Sequence, residues 1–170
     1  IDNENVPYLT DFGLARIAEA GESTLSADMI LGTPHYISPE QALGEKNLTS
    51  RTDIYSLGVV LYELVVGRVP FSADTPYAII HDHIYTPLPL PSRVNPDLPA
   101  DVELVLLKAL AKDPQDRYET AVEMVEAFKE AVTSTGLSEL KADRVSNAGV
   151  SLAKLRIEMA SQIIAGSTLD

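Results

Sequence analysis

The chain has 170 residues, of which 45% are hydrophobic and 22% are charged. That length suits a single domain, and the apolar content is sufficient for a core, so the composition excludes a wholly disordered chain. With no cysteine, the sequence excludes disulfides, thiolate metal sites and cysteine catalysis. The net charge of −12 argues against electrostatic binding to nucleic acid. The best membrane-span candidate, residues 54–66, is too short and contains Glu63, so we expect no membrane segment in this chain.

Charge and proline divide the sequence into two regions. All 11 prolines lie at or before Pro114, and residues from Thr133 onward carry equal numbers of acidic and basic side chains. We therefore expect a domain over residues 1–132 and a linker with an amphipathic helical tail over residues 133–170. The apolar stripe of the tail indicates packing on the domain or self-association, and a juxtamembrane linker is the alternative. Its members are Leu152, Leu155, Met159 and Ile163.

The start of the chain is predicted to be a short strand followed by a long loop. Residues 6–10 form a β-like run, and residues 14–31 show no sustained hydrophobic period. Loops of this length are usually functional. Ser38 at the N-cap and Pro39 at N1 then begin a short helix, which Gly44 ends.

The next elements are predicted to be helical. Residues 50–66 are apolar nearly all round, which predicts a helix buried on all sides, ended by Gly67. Thr75 and Pro76 begin a helix that runs to about Tyr85. Residues 87–99 are too rich in proline to be helical.

Two further helices complete the first region. Residues 101–112 have helical apolar spacing and are stopped by Asp113 and Pro114. A capping box from Thr120 to Glu123 begins the last helix. Its predicted buried stripe is Ala121, Met124, Val125, Phe128 and Val132. The sequence thus predicts a mainly α lobe.

Five short motifs occur in a fixed order along the first region of the sequence. The motifs are Asp11-Phe12-Gly13, Gly32-Thr33-Pro34-His35-Tyr36-Ile37-Ser38-Pro39-Glu40, Asp53-Ile54-Tyr55-Ser56-Leu57-Gly58, Gly67-Arg68-Val69-Pro70-Phe71 and Asp113-Pro114-Gln115-Asp116-Arg117. The first motif alone favours a strand-ending turn with a solvated carboxylate. The ordered set of five, however, resembles the protein kinase superfamily, in particular bacterial serine/threonine kinases of the eukaryotic-like type. This resemblance covers residues 1–132 and implies the mainly α large lobe of a kinase, with a short β segment at its start.

The resemblance implies roles for the first motif and the loop after it. Asp11, with Phe12 and Gly13 beside it, would hold the Mg²⁺ that bridges the phosphates of ATP. Residues 14–31 would be the activation loop, with Thr24 and Ser26, then Ser23, as phosphorylation candidates. The alternative is that these hydroxyls are ordinary loop residues.

Four residues are implied to act at the substrate side. Thr33 would contact the catalytic aspartate and would favour serine or threonine as the acceptor. Leu31, Pro34 and Tyr36 would shape the site for the residue that follows the acceptor. The binding partners implied are therefore ATP and a protein substrate.

Three residues are implied to be structural. Glu40 and Arg117 would form a buried ion pair, and loss of either partner should cost about 3–5 kcal/mol. Asp53 would accept backbone N–H groups from the catalytic loop, or simply favour the start of its helix.

The histidines carry weaker signals. His81 and His83 are two apart and do not share a helical face, so we expect no metal site there. His35 is close to the expected substrate site, but a surface position is favoured.

Three kinase elements do not occur in this sequence: the glycine-rich loop, the β3 lysine and the catalytic loop with its aspartate and asparagine. Residues 1–5 resemble the hairpin that follows the catalytic loop. We therefore expect a fragment of a cytoplasmic signalling kinase, inactive alone, whose parent transfers the γ-phosphoryl group of ATP to protein serine or threonine. The alternative is a non-catalytic, kinase-like module that binds proteins through the helix at residues 75–85 and the substrate-side surface.

Overall fold

The computed structural model describes residues 34–134, and this part of the chain is helical. No strand occurs between those residues, which confirms the mainly α prediction. The helices are α1 (Pro39–Ala42), α2 (Ser50–Val66), α3 (Pro76–Tyr85), α4 (Pro91–Val94), α5 (Ala100–Ala109) and α6 (Ala121–Ser134), with a 3₁₀ turn at Pro114–Asp116. The predicted first strand, the loop at residues 14–31 and the tail helix lie outside the described residues.

Local capping chemistry sets several helix ends, as the sequence predicted. The Ser38 hydroxyl accepts from the Gln41 N–H at 3.3 Å, and the Gln41 side chain accepts from the Ser38 N–H at 3.1 Å. The Thr75 hydroxyl accepts from the Ala78 N–H at 3.2 Å, ahead of Pro76 at N1. Gly67 ends α2 with a φ of 97°, a left-handed conformation that favours glycine.

The core is built around α2, which packs on α4, α5 and the 3₁₀ turn, while α6 packs on α5. The largest fully buried side chains of this core are Tyr55, Tyr62, Phe128, Ile54, Leu106 and Met124. Gly58 allows the close approach of α2 to α5, because a Cβ placed there would lie 3.1 Å from that of Ala109. Burial of these apolar side chains, at about 1.5–3 kcal/mol each, is the main stabilising contribution.

The prediction that α2 is buried on all sides is wrong at two positions. Leu57 and Val60 are 39% and 40% exposed. The two residues are three apart and so share one side of the helix. That side turns away from the buried cluster that contains Ile54, Val59 and Val65.

The prediction that residues 87–99 contain no helix is also wrong, because α4 forms one turn there. Pro91 occupies N1, where a missing N–H costs nothing and the fixed φ suits a helix. The Ser92 N–H donates to the Glu103 carboxylate at 2.6 Å, which satisfies a first-turn donor from α5.

The helix predicted over residues 101–112 ends earlier, at Ala109. The carbonyls of Ala111 and Lys112 instead accept from the Arg117 guanidinium at 2.8 and 3.0 Å. In α6, Ala121 is exposed rather than part of the buried stripe, because it lies at the first position of the helix.

None of the helices within residues 34–134 is both long enough and apolar enough to cross a membrane.

Candidate functional site

The segment that begins at Pro34 lies against α2 and is fixed there at two points. The Tyr36 hydroxyl donates to the Glu63 carboxylate at 2.7 Å. The Tyr36 carbonyl accepts from the Ser56 hydroxyl, also at 2.7 Å. The hydrogen bond to Glu63, followed by burial and the charge of that carboxylate, raises the pKa of Tyr36. The ring is 40% exposed, so it is held in place but remains accessible.

Glu40 in α1 forms a bidentate, buried ion pair with Arg117. The two guanidinium nitrogens of Arg117 lie 2.7 and 2.9 Å from the two carboxylate oxygens. Thr52 of α2 donates its hydroxyl to the same carboxylate at 2.9 Å. Burial opposes the charged form of Glu40, but the Arg117 hydrogen bonds and charge outweigh it, so the pKa of Glu40 is lowered.

All five N–H donors of Arg117 have acceptors. Two go to Glu40, and three go to the backbone carbonyls of Arg51, Ala111 and Lys112 at 2.8–3.0 Å. A guanidinium has five donors in a fixed plane, so this environment satisfies it completely. The pair therefore ties together α1, the start of α2 and the segment that follows α5.

A second buried contact extends from Arg117 to α3. The guanidinium carbon lies 4.8 Å from the centre of the Tyr55 ring. The Tyr55 hydroxyl is 2.9 Å from the Nδ1 atom of His83, which is fully buried. Burial, and then the charge of Lys112, lowers the pKa of His83 to about 4, whereas burial raises the pKa of Tyr55. Phe71 contacts the His83 ring edge-on, with 5.0 Å between ring centres.

The structure places some of the predicted site residues but not others. Pro34 is half-buried beside Tyr36, and Asp53 is exposed in the first turn of α2. The others lie outside the described residues: Asp11, Phe12, Gly13, Ser23, Thr24, Ser26, Leu31 and Thr33. The structure therefore brings together Pro34, Tyr36 and the Glu40–Arg117 pair on the α2 framework.

Sequence reasoning missed the part that three residues play in this site: His83, Glu63 and Lys112. His83 was detectable, because it is four residues after the buried Ile79 and so shares the inner face of α3. Glu63 follows Tyr36 by 27 positions and Lys112 follows Asp82 by 30, so their contacts depend on the fold. No local pattern indicates such pairs.

Comparison with known proteins agrees with this arrangement. A family model described as the protein kinase domain matches residues 1–129. The chain belongs to the protein kinase domain family. Members of this family use a nucleotide and a metal ion. The family assignment therefore implies nucleotide and metal use in general, without showing which residues of this chain would bind them.

The similar proteins are bacterial serine/threonine kinases. The chain is 45% identical over 126 residues to serine/threonine-protein kinase PknB of Mycolicibacterium smegmatis and, over the same length, to PknB of Mycobacterium tuberculosis. It is 42% identical over 139 residues to serine/threonine-protein kinase PrkC of Bacillus subtilis. The matches to the two PknB proteins each cover 73% of this chain, and the match to PrkC covers 82%. They span only 20–21% of the relatives, so the chain corresponds to about a fifth of those proteins.

Proposed function

We propose that this chain is part of the catalytic domain of a serine/threonine protein kinase. The whole protein would transfer the γ-phosphoryl group of ATP to serine or threonine side chains of a protein substrate. One observation carries this proposal most directly. Within a chain that matches the kinase domain, the bidentate Glu40–Arg117 pair fixes the segment that bears Pro34 and Tyr36 against α2.

The first motif, at residues 11–13, is the basis for the proposed binding of Mg²⁺ and ATP. Asp11, with Phe12 and Gly13 beside it, is proposed to hold Mg²⁺, which when bound would neutralise charge on the ATP phosphates. Thr33 is proposed to contact the catalytic aspartate of the whole kinase domain. These roles rest on the sequence motifs, since all four residues lie outside the described part of the chain.

The described residues support the part of the proposal that concerns binding of the protein substrate. Leu31, Pro34 and Tyr36 are proposed to contact the residue that follows the acceptor hydroxyl. Tyr36 suits this role because its hydroxyl and its carbonyl are both bonded to α2, so its exposed ring is already ordered before a peptide arrives. An ordered contact of this kind lowers the entropy cost of binding.

Two regulatory and structural roles complete the proposal. Phosphorylation of Thr24, Ser26 or Ser23 would add about −1.5 to −2 charge to the loop, which can order it against an arginine. Asp53 would accept backbone N–H groups of the catalytic loop. We place the kinase domain in the cytoplasm, where ATP is available, and propose self-association through the amphipathic helical tail predicted within residues 133–170.

The test is phosphorylation of a mixed protein substrate with radiolabelled ATP, using the whole protein that contains this chain. We expect Asp11→Asn to lower the rate at least about 100-fold, because metal stabilisation of transferred charge contributes several kcal/mol. Asp74→Asn, at an exposed aspartate of the described lobe, is the matched control and should retain full activity. Equal rates for the two variants would contradict the proposal.

A non-catalytic binding module is the second candidate, and the surface of α3 favours it. Tyr77 and Tyr85 are 78% and 65% exposed, and with His81 they recur every four residues along one face of the helix. Exposed aromatic side chains are enriched in protein interfaces. This candidate predicts that Tyr77→Ser with Tyr85→Ser abolishes binding to a purified partner protein, while Asp11→Asn has no effect on that binding.

A further inference from the structure

The outer face of α5 has an apolar stripe that is not part of the core. Ala100, Leu104 and Leu107 follow one another at intervals of four and three residues, so they share one side of the helix. Leu104, at the centre of the stripe, is 63% exposed; Ala100 is exposed and Leu107 is half-buried. A surface helix normally has polar residues on this side. The stripe therefore indicates a second packing surface on α5, opposite its buried side.

The described part of the chain ends beside the start of this stripe. Near the end of α5, Lys108 donates to Glu123 in the first turn of α6, at 3.2 Å. At the other end, the Ser134 hydroxyl donates to the Asp101 carboxylate at 3.0 Å. The two helices are thus antiparallel, and α6 ends next to the first turn of α5. The residues after Ser134 start from the end of α5 at which the stripe begins.

The tail contains an apolar stripe of matching spacing. Leu152, Leu155, Met159 and Ile163 recur every three or four residues in the helix predicted to begin after Ser151, and they lie outside the described residues. Residues 135–150 connect the two regions and, as a flexible chain, would span about 20 Å. This distance is sufficient for the tail to return to α5. A short flexible linker also gives an effective concentration of about 1 mM, which favours contact within one chain over contact between two copies.

We propose that the tail helix docks on the outer face of α5 of the same chain and runs parallel to it. Leu152 then lies against Ala100, and Leu155 lies against Leu104. Met159 follows at the level of Leu107. The linker begins and ends at the same end of α5, and the tail helix is antiparallel to α6. This inference does not depend on the kinase reaction proposed above.

The charges beside the two stripes favour the parallel direction. Glu103 and Lys108 lie on opposite sides of the α5 stripe, and Arg156 and Glu158 lie on opposite sides of the tail stripe. In a parallel helix pair, opposite sides of the two stripes meet, as the e and g positions of a coiled coil do. Arg156 then approaches Glu103, and Glu158 approaches Lys108. An antiparallel pair would place Arg156 near Lys108, and like charges repel.

Docking in this way leaves a second side of the tail helix for other contacts. Another apolar stripe, at intervals of four, three and four residues, occupies that side: Ala153, Ile157, Ala160 and Ile164. Self-association through the tail, as proposed above, would use this second stripe. A single helix of this length is only marginally stable in water, so we expect the contact with α5 to keep the tail helical.

Disulfide formation in the 170-residue chain tests the contact. The chain has no cysteine, so two introduced thiols report on a single pair of positions. Under mild oxidation, Leu104→Cys with Leu155→Cys should give at least about fivefold more intramolecular disulfide than Leu104→Cys with Lys154→Cys, because thiols on sides of a helix that point apart cannot be bridged. Equal yields for the two pairs, or disulfides formed only between two chains, would overturn the proposal.

A second pair of variants tests the direction of the tail helix. Ala100→Cys with Leu152→Cys should form an intramolecular disulfide, and Ala100→Cys with Ile163→Cys should not, because the two positions then lie at opposite ends of the contact. The reverse result would show an antiparallel tail and overturn the proposed arrangement.

Hydrogen exchange tests whether α5 keeps the tail folded. Leu104→Glu introduces a charge at the centre of the α5 stripe, and Val122→Glu is the matched control, since Val122 is 65% exposed on α6. We expect amide exchange at residues 153–164 to be at least about tenfold faster in Leu104→Glu, because an undocked helix of this length unfolds readily. Val122→Glu should leave that exchange unchanged. Equal exchange of these residues in the two variants would contradict docking on α5.

Discussion

Replacing Glu40 by glutamine tests the structural importance of the buried ion pair. Glu40→Gln retains the size of the side chain but leaves the Arg117 charge without a buried counter-charge. Breaking such a pair by removing one partner costs about 3–5 kcal/mol. We expect Glu40→Gln to lower the free energy of unfolding by about 3 kcal/mol, the lower limit of that range. The cost is limited because Arg117 retains its three backbone carbonyl acceptors and the glutamine oxygen can still accept.

Urea unfolding followed by circular dichroism measures this cost. With a slope of about 1.5 kcal/mol per molar, a loss of about 3 kcal/mol lowers the midpoint by about 2 M. Glu45→Gln is the matched control, since Glu45 is exposed and lines the cleft beside Glu40, and it should change stability by less than about 0.5 kcal/mol. A loss below about 1 kcal/mol for Glu40→Gln, at an unchanged slope, would refute the reasoning.

Three other outcomes are expected. The pKa of His83 is lowered to about 4 in the folded chain, so the fold favours the neutral form of this side chain. Its contribution to the free energy of unfolding is complete above pH 6.5, and about 3 kcal/mol of that contribution is lost as the pH falls to 4. His83→Gln should flatten that pH profile of urea midpoints, and His81→Gln, exposed on the same helix, should not. Tyr36→Phe should cost about 1 kcal/mol in the same assay by removing its hydrogen bond to α2, and no loss would contradict that contact. Phe128→Ala should cost about 3–5 kcal/mol, against less than about 0.5 kcal/mol for the exposed Val122→Ala.

The sequence predicts local structure well where a few adjacent residues decide it. Ser38 with Gln41, Thr75 with Pro76, and Gly67 each satisfy the backbone groups of a helix end within four residues of themselves. No distant part of the chain is needed for that chemistry. Those helix ends were therefore predictable, and the structure confirms them.

Features that depend on distant residues are less accessible from the sequence. The end of α5 was predicted too late in the sequence. The Ala111 and Lys112 carbonyls accept hydrogen bonds from the side chain of Arg117 instead of from helical N–H groups. The Glu40–Arg117 pair spans 77 positions and was expected only from the resemblance to kinases. Composition and periodicity contain no information on such a contact.

The buried polar groups of this lobe form a connected set. Glu40 bonds to Arg117, Arg117 lies over Tyr55, and Tyr55 bonds to His83 in α3, so α1 and α3 are joined through α2. A polar network that is largely satisfied favours one arrangement of its elements, because any other arrangement leaves buried donors without acceptors. Apolar packing alone tolerates small shifts more easily. This network fixes two surfaces relative to each other. One is the segment that contains Tyr36, and the other is the exposed face of α3. We therefore expect changes inside it to alter both surfaces together, while changes on either surface leave the other intact.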